Sequence, residues 1–92
     1  MKLNEQCMVD ILEYCIDKIH VSANGYTYTT VKLIELPTIL KQHEIMDVFY
    51  SVKKLLELKY ITLDNTTDII WDEDSKVSDV TYYGHKYLEN FQ

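Results

Sequence analysis

Arginine is missing from this chain: all nine basic residues are lysines, set against fifteen Asp and Glu, for a net charge of -6. The guanidinium fork that reads guanine edges, and the arginine that enters narrow minor grooves, are therefore closed to it. Glycine is nearly as scarce, with only Gly25 and Gly84, so no Gly-rich loop exists to cradle phosphates. No activated Ser or Cys motif is found either, and the expectation is a non-enzymatic protein that uses no cofactor. The two cysteines, Cys7 and Cys15, lie about 12 Å apart along one expected helix, beyond disulfide reach. Two buried, reduced thiols are expected. No stretch approaches the ~18 apolar residues of a membrane span, and the N-terminus lacks the apolar run of a signal peptide. A soluble, cytosolic protein with no membrane partner is expected. Its 92 residues, 47% hydrophobic, suit one domain over 1–92 with one modest core.

The negative charge is concentrated. From Ile61 to Thr81, six acids (Asp64, Asp68, Asp72, Glu73, Asp74 and Asp79) face Lys76 alone, giving -5. The rest of the chain has nine acids and eight lysines, or -1.

Asn4 is a good N-cap, and Met8, Ile11, Leu12, Cys15, Ile16 and Ile19 follow at helical spacing, predicting an amphipathic helix from about Asn4 to His20. Ser22 to Gly25 breaks it. Tyr26 to Glu35 is rich in β-branched and aromatic residues and predicts a strand, chiefly Thr29 to Glu35. Pro37 suits the first turn of a short helix reaching Leu40 or Gln42. Ile45, Val48, Phe49, Val52, Leu55 and Leu56 predict the core stripe of a longer helix. No Gly or Pro separates the two helices; a break is placed near Gln42-His43. Tyr60 to Leu63 predicts a strand, Asp64 to Thr67 a turn, and Asp68 to Trp71 a return strand. Asp72 to Ser78 is expected to be an exposed acidic loop. Val80-Thr81 then adds a short pairing, and Thr81 caps a C-terminal helix containing Tyr82, Tyr83, His85, Tyr87, Leu88 and Phe91.

The order of helix, strand, short helix, long helix, β-hairpin and helix predicts an α+β winged helix-turn-helix, with the long helix in the recognition position and the hairpin as wing. Two stretches carry a family resemblance. Tyr50-Ser51-Val52-Lys53-Lys54-Leu55-Leu56-Glu57-Leu58-Lys59-Tyr60-Ile61 and Val80-Thr81-Tyr82-Tyr83-Gly84-His85-Lys86-Tyr87-Leu88-Glu89-Asn90 resemble the signatures of a family of small proteins of unknown function from bacteria, prophages and other mobile elements. Thr81, Gly84, His85 and Leu88 match in combination. Lys59 stands where that family usually has Gly, which implies a helix end other than the left-handed cap that Gly permits. Tyr82-Tyr83 replaces a Trp-Glu. The resemblance implies a fold and a mobile-element setting, and no activity.

Several side chains are candidates for function. Tyr50, Ser51, Lys53 and Lys54 on the long helix could touch phosphates or base edges as a dimeric DNA-binding regulator would, although Asp47 and Glu57 neutralise them and a solvated helix face is the commoner role. A wing at -5 is repelled by a duplex with one negative charge per ~1.7 Å, so autonomous duplex binding is not expected. The same acids suit a basic protein surface. Asp68, Trp71, Asp72, Glu73 and Asp74, with Tyr82 and Tyr83, are therefore the candidate partner-binding residues of a regulatory or inhibitory adaptor. An acidic phage inhibitor of a host nucleic-acid defence enzyme is a narrower form of that idea, while a merely solubilising loop is its bland alternative. The acids lack the alternation and central Gly of a calcium loop, and His20 and His43 have no zinc-spaced partner, so no metal site is expected. Thr81, Gly84 and His85 are expected to be structural, His85 by packing and by a hydrogen bond holding the last helix to the wing. Eight tyrosines exceed what so small a core can bury, so some should line a surface for a partner or for a homodimer.

Overall fold

Asn4 begins the first helix as its spacing predicts, with its Oδ1 accepting the Cys7 N–H at 3.0 Å. The computed structural model describes residues 1–19, 23–24, 30–63 and 75–91. Helix α1 spans Glu5–Lys18, and Ile19 turns the chain to an extended conformation. Met8, Ile11, Leu12 and Cys15 recur at three- and four-residue steps and are buried. Burial pushes the Cys7 thiol up from its ordinary value and that of Cys15 up to about 12. Both thiols stay protonated and unreactive in the fold.

Of the strand expected over Tyr26 to Glu35, chiefly Thr29 to Glu35, residues 26–29 lie outside the described residues, and the described part is shorter than expected. Only Val31–Lys32 forms β1; Leu33–Glu35 is a 3-10 turn that runs directly into α2, Leu36–Ile39, with Pro37 in its first turn. Val31, Leu33 and Leu36 are all buried. A strand's two-residue period carries Val31 and Leu33 inward, but the step from Leu33 to Leu36 needs the three-residue period of a 3-10 turn.

Helix α3 spans Ile45–Glu57, so the segment after Pro37 is two helices, divided at Lys41 to His43. No Gly or Pro makes this break. Asp10, reaching from α1, holds it instead: its Oδ2 lies 2.6 Å from His43 Nε2 and accepts from Gln42 Nε2 at 3.4 Å, while Oδ1 accepts from Gln6 Nε2 at 2.9 Å. A carboxylate only accepts, so His43 Nε2 carries the proton. Partial burial raises the Asp10 pKa, but the bonds from His43, Gln6 and Gln42 outweigh it and hold the carboxyl below its ordinary value. Because the folded value is depressed, this carboxylate contributes stability above about pH 4 and loses it as pH falls through the folded value. Asp10→Asn should cost about 1 kcal/mol at pH 7. Urea titrations should show that cost shrinking by about pH 3; an equal cost at both pH values would refute the clamp.

Val48, Ser51, Val52 and Leu55 form the buried stripe of α3. Ile45, expected on that stripe, is 57% exposed; it begins the helix, beyond the edge of the core. The far end closes with Lys59 in the left-handed region at φ 62°. The Tyr60 N–H donates to Leu55 O at 2.9 Å and the Lys59 N–H to Leu56 O at 3.1 Å. That is the double bonding of a Schellman cap, which glycine usually supplies. Contrary to expectation, lysine adopts the same cap.

Strands β2, Ile61–Leu63, and β3, Lys76–Val80, complete an antiparallel sheet in the order β1-β3-β2. Val31 pairs with Val77 and Ile61 with Val80, with a register shift after Thr62. Lys76 to Ser78, expected in the acidic loop, thus belong to the central strand. The polar sequence around Val77 hid a residue that is wholly buried. The expected return strand, Asp68 to Trp71, lies outside the described residues. Helix α4, Tyr82–Phe91, follows β3, and α1 packs against α3, β3 and α4. Among the described residues the protein is α+β, with four helices and a small three-stranded sheet, a layout compatible with a winged helix. None of these helices is long and apolar enough to cross a membrane.

Candidate partner-binding surface

Thr81 joins α4 to the end of α3 by three hydrogen bonds. Its Oγ1 accepts the Gly84 N–H at 3.2 Å, as an N-cap does, and donates to Lys59 O at 2.7 Å; its N–H donates to Tyr60 O at 2.9 Å. Gly84 is buried at this junction. A Cβ there would overlap the Tyr60 carbonyl oxygen and lie 2.8 Å from Val80 Cγ1. The helix therefore approaches the Tyr60 backbone as only glycine allows. Tyr87, one turn later, stacks on Tyr60 with ring centroids 5.0 Å apart and also meets Phe91 at 6.2 Å. Thr81 and Gly84 thus have the structural roles expected of them.

His85 does not. Its side chain is exposed, and the bond that holds it is its backbone N–H donating to Thr81 O. The lock expected from its imidazole is made by the neighbouring Thr81 and Gly84.

Tyr82 and Tyr83 are 68% and 63% exposed, and they meet edge to face at 5.8 Å. Two grooves flank them. One, of about 490 Å³, is lined by Leu58, Tyr60, Tyr83 and Tyr87 with Lys59 and Lys86. The other, of about 580 Å³, runs along β2 between Leu63 and Tyr82. Lys59 and Tyr83 line both, so the grooves adjoin along these two residues. The chain compared with protein families, curated proteins and solved structures matches none. The case for function therefore rests on this chemistry.

The α3 candidates are less well presented. Ser51 is fully buried, contrary to its expected exposure. It falls three residues after Val48 and four before Leu55, on the apolar stripe, with its hydroxyl beside the Cys7 thiol but without hydrogen-bond geometry. Lys54 donates to Glu57 Oε2 at 3.0 Å and lies 5.0 Å from the Tyr50 ring centre. The Glu57 carboxylate holds its ammonium above lysine's usual range. Lys53 is exposed and Tyr50 half-buried. The helix opens with Glu44, Ile45, Met46 and Asp47, of which Ile45 and Met46 are largely exposed. An acidic and apolar tip is a poor match for phosphates.

Asp68, Trp71, Asp72, Glu73 and Asp74 lie outside the described residues. No three His, Cys, Asp or Glu side chains converge among the described residues. The groove residues Leu58, Tyr60 and Tyr87 were not singled out from sequence, and Lys59 was noted only for its helix end. They meet only through the packing of α4 on the end of α3, and the one local signal was a lysine at a position where glycine is usual.

Proposed function

We propose that this protein is a non-enzymatic winged-helix interaction module, a regulatory or inhibitory adaptor that binds a protein partner, in the mobile-element setting its resemblance implies. The observation that carries this reading is the pair Tyr82 and Tyr83, both more than 60% exposed beside adjoining apolar grooves. Tyrosine buries a large rigid surface at low entropic cost and keeps a hydroxyl for a polar partner, which is why interfaces favour it. The acidic run from Asp68 to Asp74 supplies a second attachment, complementary to a basic surface.

Duplex DNA is the poorer ligand for this chain. A recognition helix needs free cations near its start, yet α3 begins with Glu44 and Asp47 and its Lys54 is held by Glu57. Selection on a random duplex library at about 0.15 M salt should yield no enriched site, since few phosphates can be neutralised. Submicromolar, salt-sensitive binding to one sequence would replace this reading with the DNA-binding one. Conversely, a photo-crosslinking residue at Tyr82, in the full chain expressed in its host, should trap a protein, and Tyr83→Ala should weaken that capture about tenfold.

A further inference from the structure

Lys59 stands out twice. It occupies a left-handed conformation, φ 62°, that costs a non-glycine residue about 1–2 kcal/mol. It also stands where the two grooves adjoin, and it is exposed. Its backbone is fixed on both sides, the N–H donating to Leu56 O and the carbonyl accepting from Thr81 Oγ1, and no described acid pairs with its ammonium. Strain of this kind collects where a side chain is held for a purpose. On a chain of net charge -6, the only charged side chains lining the two grooves among the described residues are Lys59 and Lys86, and Lys86 is paired with Glu89 at 3.3 Å, which leaves Lys59 as the cation open to a ligand. The other described lining is mostly tyrosine and aliphatic, with Asn90, Thr62 and Thr81 as its uncharged polar members, and one wall is β2, an edge strand of the described sheet.

We propose that these grooves bind an extended acidic segment of a partner protein, with an Asp or Glu carboxylate on Lys59 and an apolar side chain in each groove. Positive lining on an acidic protein selects an anionic occupant. The apolar walls on either side of the lysine demand apolar neighbours for that acid. An edge strand along the second groove favours an extended peptide, whose main chain can add to the sheet. The inference rests on the protein-binding reading above and specifies the partner's chemistry on the α4 side.

Lys59→Gly makes the test clean, because glycine keeps the left-handed cap while deleting the ammonium. A phage-displayed random peptide library selected on the full-length protein should enrich segments with Asp or Glu between apolar residues. An enriched peptide, synthesised with a fluorophore, should bind Lys59→Gly at least about tenfold more weakly, although that variant melts higher than the natural chain. Tyr83→Ala should weaken the same peptide while leaving the melting temperature within a few degrees. Failure to enrich any peptide, enrichment of basic ones, or binding unchanged by Lys59→Gly and Tyr83→Ala overturns the proposal. Peptides that bind elsewhere leave the adaptor reading standing, whereas selection of a duplex site removes both.

Discussion

Gly84→Ala is expected to destabilise the protein by about 2–3 kcal/mol through overpacking, lowering the melting temperature by about 10–20 °C for a domain of this size. The usual effect has the opposite sign, since alanine within a helix is favoured over glycine by about 1 kcal/mol. Here the added methyl meets the Tyr60 carbonyl and Val80. Neither neighbour is the free end of a flexible side chain: the carbonyl also accepts the Thr81 N–H, and Val80 is a buried strand residue paired with Ile61. Helix α4 must therefore lift, breaking its cap and separating Tyr87 from Tyr60. Thermal melts and urea titrations measure the loss. A variant as stable as the natural chain would show that α4 does not dock on Tyr60, and both grooves would go with it.

Leu12→Ala should cost about as much for the opposite reason. Leu12 is wholly buried on the face of α1 that meets α3, β3 and α4. Truncation removes its transfer free energy and leaves a cavity that three elements, each anchored elsewhere, cannot easily close. About 3 kcal/mol is expected, a large part of the 5–15 kcal/mol that stabilises a typical domain. Leu58→Ala, at a side chain 47% exposed, should change stability by only about 0.5 kcal/mol. A reversed ranking in urea titrations would contradict the placement of α1 at the centre of the core.

The parts legible in the sequence are those written in local periodicity. The Asn4 cap, the α1 stripe and the Thr81 cap depend on residues at most a few turns apart. The surplus of tyrosines required only that some of Tyr26, Tyr28, Tyr50, Tyr82 and Tyr83 be exposed: Tyr82 and Tyr83 are, Tyr50 is half-buried, and Tyr26 and Tyr28 lie outside the described residues. Polar spelling misled at Ser51 and Val77, where one small residue within a charged neighbourhood belongs to the buried face. Long-range contacts left no local trace. The turn at His43 was placed correctly, but its cause, Asp10, lies 33 residues away. The grooves likewise need the Thr81 bond to Lys59, across 22 residues, before Tyr83 and Leu58 face a common space.

The strand order also sets the order in which the protein can be made. Since β3 lies between β1 and β2, neither earlier strand has its described partner until residues 76–80 have left the ribosome. Val31 must wait for Val77, 77 - 31 = 46 positions later. Loop closure over that distance precedes any gain from pairing, so the sheet forms late and comparatively slowly. Among the described elements α3 can already pack on α1 and α2 during synthesis, but the core still lacks Val77 and Val80. The nascent chain is thus a set of packed helices with an open core, and β3 is the piece that closes it.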